Sequence, residues 1–157
     1  MKTLVVYFSR TGETRAAAEY IAARLNADVF ELKRAEPYPA DYRAVVNCAM
    51  AEIRGGALPE LTALPDTSAY DLVLAGSPTW CGTFAPPAAA FIAGASLEGK
   101  RVGIFCTSGG SGLANMPRDA AKLAPGAAYT APLALRNGAD TAAMDAWTDA
   151  LSNDPKK

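Results

Sequence analysis

Leu4-Val5-Val6-Tyr7-Phe8 is an unbroken apolar run. Alternate side chains of a strand point to opposite faces of its sheet, so a run with no polar residue needs cover on both faces. Strands of that kind belong to parallel sheets whose crossover connections are helices. The rest of the chain repeats the theme, with short apolar runs alternating with segments of helical period. Residues 13–25 read as a helix, with Ala17, Ile21 and Leu25 at spacing four and Asn26 able to cap its end. Residues 27–32 read as a second strand. After Pro37 and Pro39, Asp41 can cap a helix that runs to about Arg54 and stops at Gly55-Gly56. Residues 57–70 read as a connector and residues 71–76 as a third strand.

Pro86-Pro87 can open the next helix, because proline is tolerated in the first turn, and Phe91 and Ile92 lie on its core face. Residues 101–106 read as a fourth strand, residues 114–124 as a helix, and residues 128–135 as a fifth strand. Asp140 or Thr141 caps a last helix, on which Met144, Trp147 and Leu151 share a face. The tail from Asp154 reads as a frayed end. Alternating strands and helices predict a parallel sheet with helices on both sides, and right-handed crossovers make it a doubly wound α/β/α sandwich of three layers. In such sheets ligands bind beyond the carboxyl ends of the strands.

The chain has 157 residues, 50% of them hydrophobic, which suits one domain spanning residues 1–157 with an ordinary core. Its net charge is −1, with 15 basic and 16 acidic residues and no basic stripe, so nucleic acid and anionic membranes are poor partners. The apolar runs are too short for a signal sequence or a membrane span, and a cytoplasmic location is expected. Cys48, Cys81 and Cys106 form no CxxC pair, and histidine is absent, which argues against a disulfide framework and a zinc site. The missing histidine also excludes a Ser-His-Asp triad. The chemistry is therefore expected to come from a cofactor.

Three segments follow strand ends. Ser9-Arg10-Thr11-Gly12-Glu13-Thr14 leads from the first strand straight into a helix, and free amides at a helix N-terminus can cradle a phosphate. Thr11 and Thr14 could equally serve as helix caps. Neither the GxxxxGK[ST] nor the GxGxxG pattern is present there. Gly76-Ser77-Pro78-Thr79-Trp80-Cys81-Gly82-Thr83-Phe84 follows the third strand and holds a loop tryptophan, either a flat face for a planar ring or an anchor on its own sheet. Thr107-Ser108-Gly109-Gly110-Ser111-Gly112 follows the fourth and offers backbone donors and acceptors with little side-chain obstruction. Together the three suit a phosphorylated planar ligand. Cys81 reads as a small filler or a redox thiol, Cys48 and Cys106 as core, and Arg10 and Arg15 as a solvated face or phosphate-steering charges. Tyr38 and Tyr42 read as surface packing or as residues overhanging the pocket.

The first of these segments resembles the flavodoxin phosphate-binding signature, hydroxyl-x-Thr-Gly-x-Thr after the first strand. Gly76-Ser77-Pro78-Thr79-Trp80 resembles the family's flavin-stacking loop and residues 106–112 its second flavin loop; the likeness extends to Tyr38-Pro39 and Asp41-Tyr42 and spans nearly the whole chain. The resemblance implies a flavodoxin-like five-stranded sheet of order 2-1-3-4-5 and an FMN cofactor. By it, Ser9, Arg10, Thr11, Gly12, Glu13 and Thr14 hold the FMN phosphate. Pro78, Thr79, Trp80, Cys81, Gly82 and Thr83 contact the ring, and Ser108, Gly109, Gly110, Ser111 and Gly112 border its pyrimidine side. Gly82 is the position where flavodoxins turn a peptide carbonyl toward the flavin. The chain departs from the family pattern in two ways: residues 107–112 hold no aromatic, and the chain is nearly neutral where many electron carriers are acidic. The function so implied is electron transfer to redox partner proteins. The alternatives are an NAD(P)H-fed reductase of a small quinone-like acceptor and a flavin-free protein-binding module.

Overall fold

A computed structural model of the chain describes residues 1–136 and 140–153; the tail from Asp154 lies outside the described residues. Strand β1 (Thr3–Tyr7) pairs in parallel with β2 (Asp28–Glu31) on one side and with β3 (Leu72–Trp80) on the other. Strand β3 pairs in parallel with β5 (Arg101–Ser108), and β5 pairs with both β6 (Ala128–Tyr129) and β7 (Leu133–Arg136). A two-residue strand, β4 (Thr83–Phe84), folds back antiparallel on the end of β3. Because β6 and β7 are successive parts of one edge position, the parallel order is the expected 2-1-3-4-5.

The apolar run of β1 divides as its pleat requires. Leu4, Val6 and Phe8 pack with Val73, Ala75, Ile104 and Cys106 under α3 (Pro86–Gly94) and α4 (Met116–Leu123). Val5 and Tyr7 pack with Leu72, Leu74 and Phe105 under α1 (Glu13–Leu25) and α5 (Thr141–Asn153). Helix α2 (Tyr42–Gly55) lies near α3, and its buried residues are Val45 and Ala49. The result is a three-layer α/β/α sandwich.

The caps follow the sequence. Asn26 ends α1 in the left-handed region (φ 50), and Gly56 ends α2 in the same way (φ 66). The Asp41 carboxylate accepts from the Ala44 amide, and that of Asp140 from the Ala143 amide. Asp41→Ala and Asp140→Ala should each lower stability by about 1 kcal/mol, read from urea midpoints at unchanged slope.

Two strand boundaries differ from expectation. The fifth strand is interrupted between Tyr129 and Leu133. Pro132 has no amide to donate, and the Ala131 carbonyl is taken by the Trp147 indole at 2.7 Å, so neither can join the ladder. The third strand does not stop at Gly76 but runs to Trp80, because Thr79 and Trp80 find antiparallel partners in Phe84 and Thr83. The tip of that hairpin is Cys81-Gly82, with φ of 52 and 79, the two left-handed residues that a type I′ turn demands. Trp80 is therefore a strand-end residue rather than a loop residue.

Candidate functional site

The carboxyl ends of β1, β3 and β5 stand side by side, with Tyr7 opposite Gly76 and Pro78 opposite Thr107. The segments leaving these three ends meet around a cleft of about 350 Å3. Arg10, Thr11, Glu13 and Thr14 line it from the first segment, Pro78, Thr79, Trp80 and Cys81 from the second, and Thr107 and Ser108 from the third. Helix α2 closes the remaining side with Tyr42, Val45, Val46 and Ala49.

At one end of the cleft α1 begins. Its N-cap is Gly12, at φ 96, which has no side chain to cap the first turn. The first backbone bond of the helix runs from the Ala16 amide to the Gly12 carbonyl at 3.0 Å, so the amides of residues 13–15 have no partner within the helix. Of the hydroxyls expected here, Ser9 accepts from the Gly12 amide at 3.1 Å and shapes the turn. The Thr14 hydroxyl lies 2.7 Å from that of Thr107 rather than capping the helix. A Cβ built on Gly12 meets no heavy atom within 4 Å, so the space before these amides is open. The Arg10 guanidinium donates to the Ala40 carbonyl and lies over the Tyr42 ring, 5.8 Å from its centre. Arg15 instead binds the Tyr7 hydroxyl and Glu31.

Trp80 forms part of the wall. Its ring packs edge-on against Phe8 and Tyr38, with centroids 5.5 Å away in both cases. Tyr38 donates to Glu52 and lies under the Arg34 guanidinium, which also pairs with Glu52. Burial and the bond to Glu52 push the Tyr38 hydroxyl well above the usual tyrosine range, so it stays a neutral donor. This half-buried group joins α2 to the segment before it and fixes the orientation of Trp80.

The loop after β5 is also tied down. The Ser108 hydroxyl accepts from the amides of Gly110 and Gly112, and the Thr79 hydroxyl donates to the Gly112 carbonyl at 2.7 Å. The Gly82 carbonyl, at the hairpin tip, accepts from the Asn115 amide at 2.9 Å. Cys106 is buried in the core, and burial raises its thiol pKa. Cys48 is only half-buried, with its sulfur 3.5 Å from the Arg34 guanidinium, and Cys81 is exposed at the hairpin tip rather than filling a gap.

Several of the residues read from the sequence stand beside the cleft rather than in its lining. Ser9 borders a neighbouring cleft of about 640 Å3, and Thr83 faces an apolar groove of about 280 Å3 bounded by Ile53, Phe84 and Leu123. Gly12, Gly82, Gly109, Gly110, Ser111 and Gly112 lie outside the lining. Sequence reasoning missed Val45, Val46 and Ala49; it placed Thr107 in the segment after the fourth strand but gave its side chain no role. The first three carried a helical spacing, but no sequence signal says which layer a helix face meets.

The flavodoxin family model matches residues 2–151. The chain belongs to the flavodoxin family. A candidate flavoprotein from Bacteroides eggerthii is 31% identical to it, with a TM-score of 0.83, covering 98% of this chain and 99% of that one. A flavoprotein from Lactobacillus acidophilus, solved in complex with FMN, is 28% identical, with a TM-score of 0.72, covering 90% of this chain and 96% of that one. Flavodoxin 2 from Bacillus cereus, at 16% identity and a TM-score of 0.63, shares the fold over 97% of this chain and 98% of that one. No functionally curated protein matches. No helix among the described residues is long and apolar enough to cross a membrane.

Proposed function

We propose that residues 1–157 form one flavodoxin-like domain that binds a single FMN in the 350 Å3 cleft and serves as a cytoplasmic electron carrier. The observation that carries the reading is the meeting of an uncapped helix N-terminus and an aromatic wall across one cleft. The FMN complex of the Lactobacillus acidophilus relative supports the choice of ligand.

The residues fit that ligand. A phosphate carrying about −1.5 to −2 charges is matched by neutral donors and a helix dipole of about half a positive charge. The amides of residues 13–15 with the hydroxyls of Thr11 and Thr14 would hold it, while Ser9 and Gly12 set the turn that exposes those amides. Trp80, with Pro78, Thr79 and Cys81 around it, would face the ring, and Val45, Val46 and Ala49 would keep water from it. Residues 108–112 would border its polar edge. FMN, when bound, supplies reversible electron uptake and release.

Trp80→Ala should weaken FMN binding by about 1–2 kcal/mol, because an aromatic contact and its buried area are lost. Trp80 fluorescence should be quenched on binding. Trp147, which packs against Phe105 at 6.0 Å on the far side of the sheet, should report no change. Equal affinity in wild type and Trp80→Ala would remove Trp80 from the site.

One feature favours a reductase as the second reading. Residues 107–112 carry no aromatic side chain to cover a bound ring, which would leave that part of the ring accessible to a small quinone-like acceptor. Steady NAD(P)H oxidation with a quinone would support it over a carrier that exchanges electrons only with redox partner proteins.

A further inference from the structure

Thr14 and Thr107 are 93 residues apart, yet their hydroxyl oxygens lie 2.7 Å from each other. They are 2% and 3% exposed, and both line the cleft. A buried hydroxyl costs free energy unless it is bonded, and valine fills nearly the same volume in a strand with no such cost. Thr107 is held on both sides by ladders, opposite Pro78 on β3 and Leu135 on β7, so its backbone cannot shift. Thr14 sits in the first turn of α1, among the uncapped amides.

Each hydroxyl has one proton to give. Within the pair one oxygen donates and the other accepts, and the acceptor keeps its own proton for a third group. Either direction satisfies the pair alone. A dianionic phosphate at the α1 N-terminus accepts only, so it selects the direction in which Thr107 donates to Thr14 and Thr14 donates to the phosphate. A chain of bonds so aligned polarises each member and strengthens the last one.

We propose that Thr107 is a positioning residue that orients the Thr14 hydroxyl and thereby sets the preference of the cleft for a phosphorylated flavin over an unphosphorylated one. The proposal rests on the flavin reading given above. It involves no covalent step, only the direction of two hydroxyl protons.

The test measures dissociation constants of FMN and riboflavin for wild type, Thr107→Val, Thr107→Ser, Thr14→Val and the Thr14→Val/Thr107→Val double variant. Thr107→Val should weaken FMN by about tenfold, as expected for a bond to a charged group, and riboflavin by less than about twofold. Thr107→Ser keeps the hydroxyl and should restore most of the FMN affinity. On a Thr14→Val background, Thr107→Val should add almost nothing, because its effect passes through Thr14. Equal losses for both flavins, or a full additional loss on the Thr14→Val background, would overturn the proposal. If Thr107→Val does not fold, Thr107→Ala is read by the same criteria. Wild type that binds the two flavins equally would defeat the phosphate reading itself, whereas a wild-type preference that survives Thr107→Val defeats only the role of Thr107.

Discussion

Gly12→Asp should lower FMN affinity by about 100-fold while lowering the stability of the fold by only about 1–2 kcal/mol. The two effects separate because they act on different things. A Cβ at position 12 meets no heavy atom within 4 Å, so there is no steric clash with the protein. At φ 96 any side chain is strained, although aspartate tolerates left-handed backbone better than most residues. The strain should lower the unfolding free energy by about 1–2 kcal/mol. A carboxylate about 5 Å from a dianionic phosphate costs about 2 kcal/mol even with the screening of bulk water, and more at the lower dielectric of a protein surface. Gly12→Ala carries the strain without the charge and should lose less than about tenfold. Riboflavin affinity should move little in either variant. Wild-type FMN affinity in Gly12→Asp would mean that the phosphate is held elsewhere.

The largest stability effect is expected at Gly76→Ala, about 3 kcal/mol of destabilisation and a fall in Tm of about 6–12 °C. Gly76 stands opposite Phe105 across the β3–β5 ladder. The Phe105 ring lies over it so closely that a Cβ there would be 2.2, 2.4 and 2.8 Å from three ring carbons. The ring cannot swing away, because it is fully buried and packs edge-on against Trp147. Shrinking the obstructing ring should relieve the strain, so Phe105→Leu combined with Gly76→Ala should cost clearly less than the sum of the two single changes. Gly55→Ala is the contrasting case. Gly55 is the last residue of α2, with nothing within 4 Å of a built Cβ, and alanine there should stabilise by about 0.4–1 kcal/mol. Thermal or urea unfolding of Gly76→Ala, Phe105→Leu, their double variant and Gly55→Ala checks the set. An unaltered midpoint in Gly76→Ala would mean that Phe105 does not occupy this position.

Most of the fold was legible because local signals and the global arrangement agree. The unbroken run in β1 required cover on both faces, and the two core clusters supply it by dividing that run residue by residue. Asp41, Asp140, Asn26 and Gly56 are caps because their chemistry and backbone freedom suit helix ends wherever they occur. Even the break in the fifth strand has a visible sign in Pro132, though the claim of Trp147 on the Ala131 carbonyl is a tertiary contact that no local pattern carries.

The site was legible as three segments but not as a cavity. The extension of β3 to Trp80 depends on pairing with Thr83 and Phe84, and a Cys-Gly tip gives a weaker hairpin signal than Asn-Gly. Trp80 therefore read as a loop residue, although its ring is fixed by Phe8 and Tyr38. Thr14 read as a possible cap because cap formers and ligand donors are the same residue types; its actual partner, Thr107, lies 93 positions away. The α2 wall was missed for a similar reason. Val45 and Ala49 have the spacing of an ordinary core face, and only the packing of α2 turns that face toward the cleft.

Uptake of one FMN per chain by this cleft is tested most directly by calorimetric titration of FMN into the purified protein after any bound flavin has been extracted with denaturant and the chain refolded. A single class of sites is expected, one FMN per chain and tighter than riboflavin, with quenching of Trp80 fluorescence that saturates at the same ratio. A refolded chain that binds no FMN, or binds it with Trp80 fluorescence unchanged, would contradict uptake by this cleft.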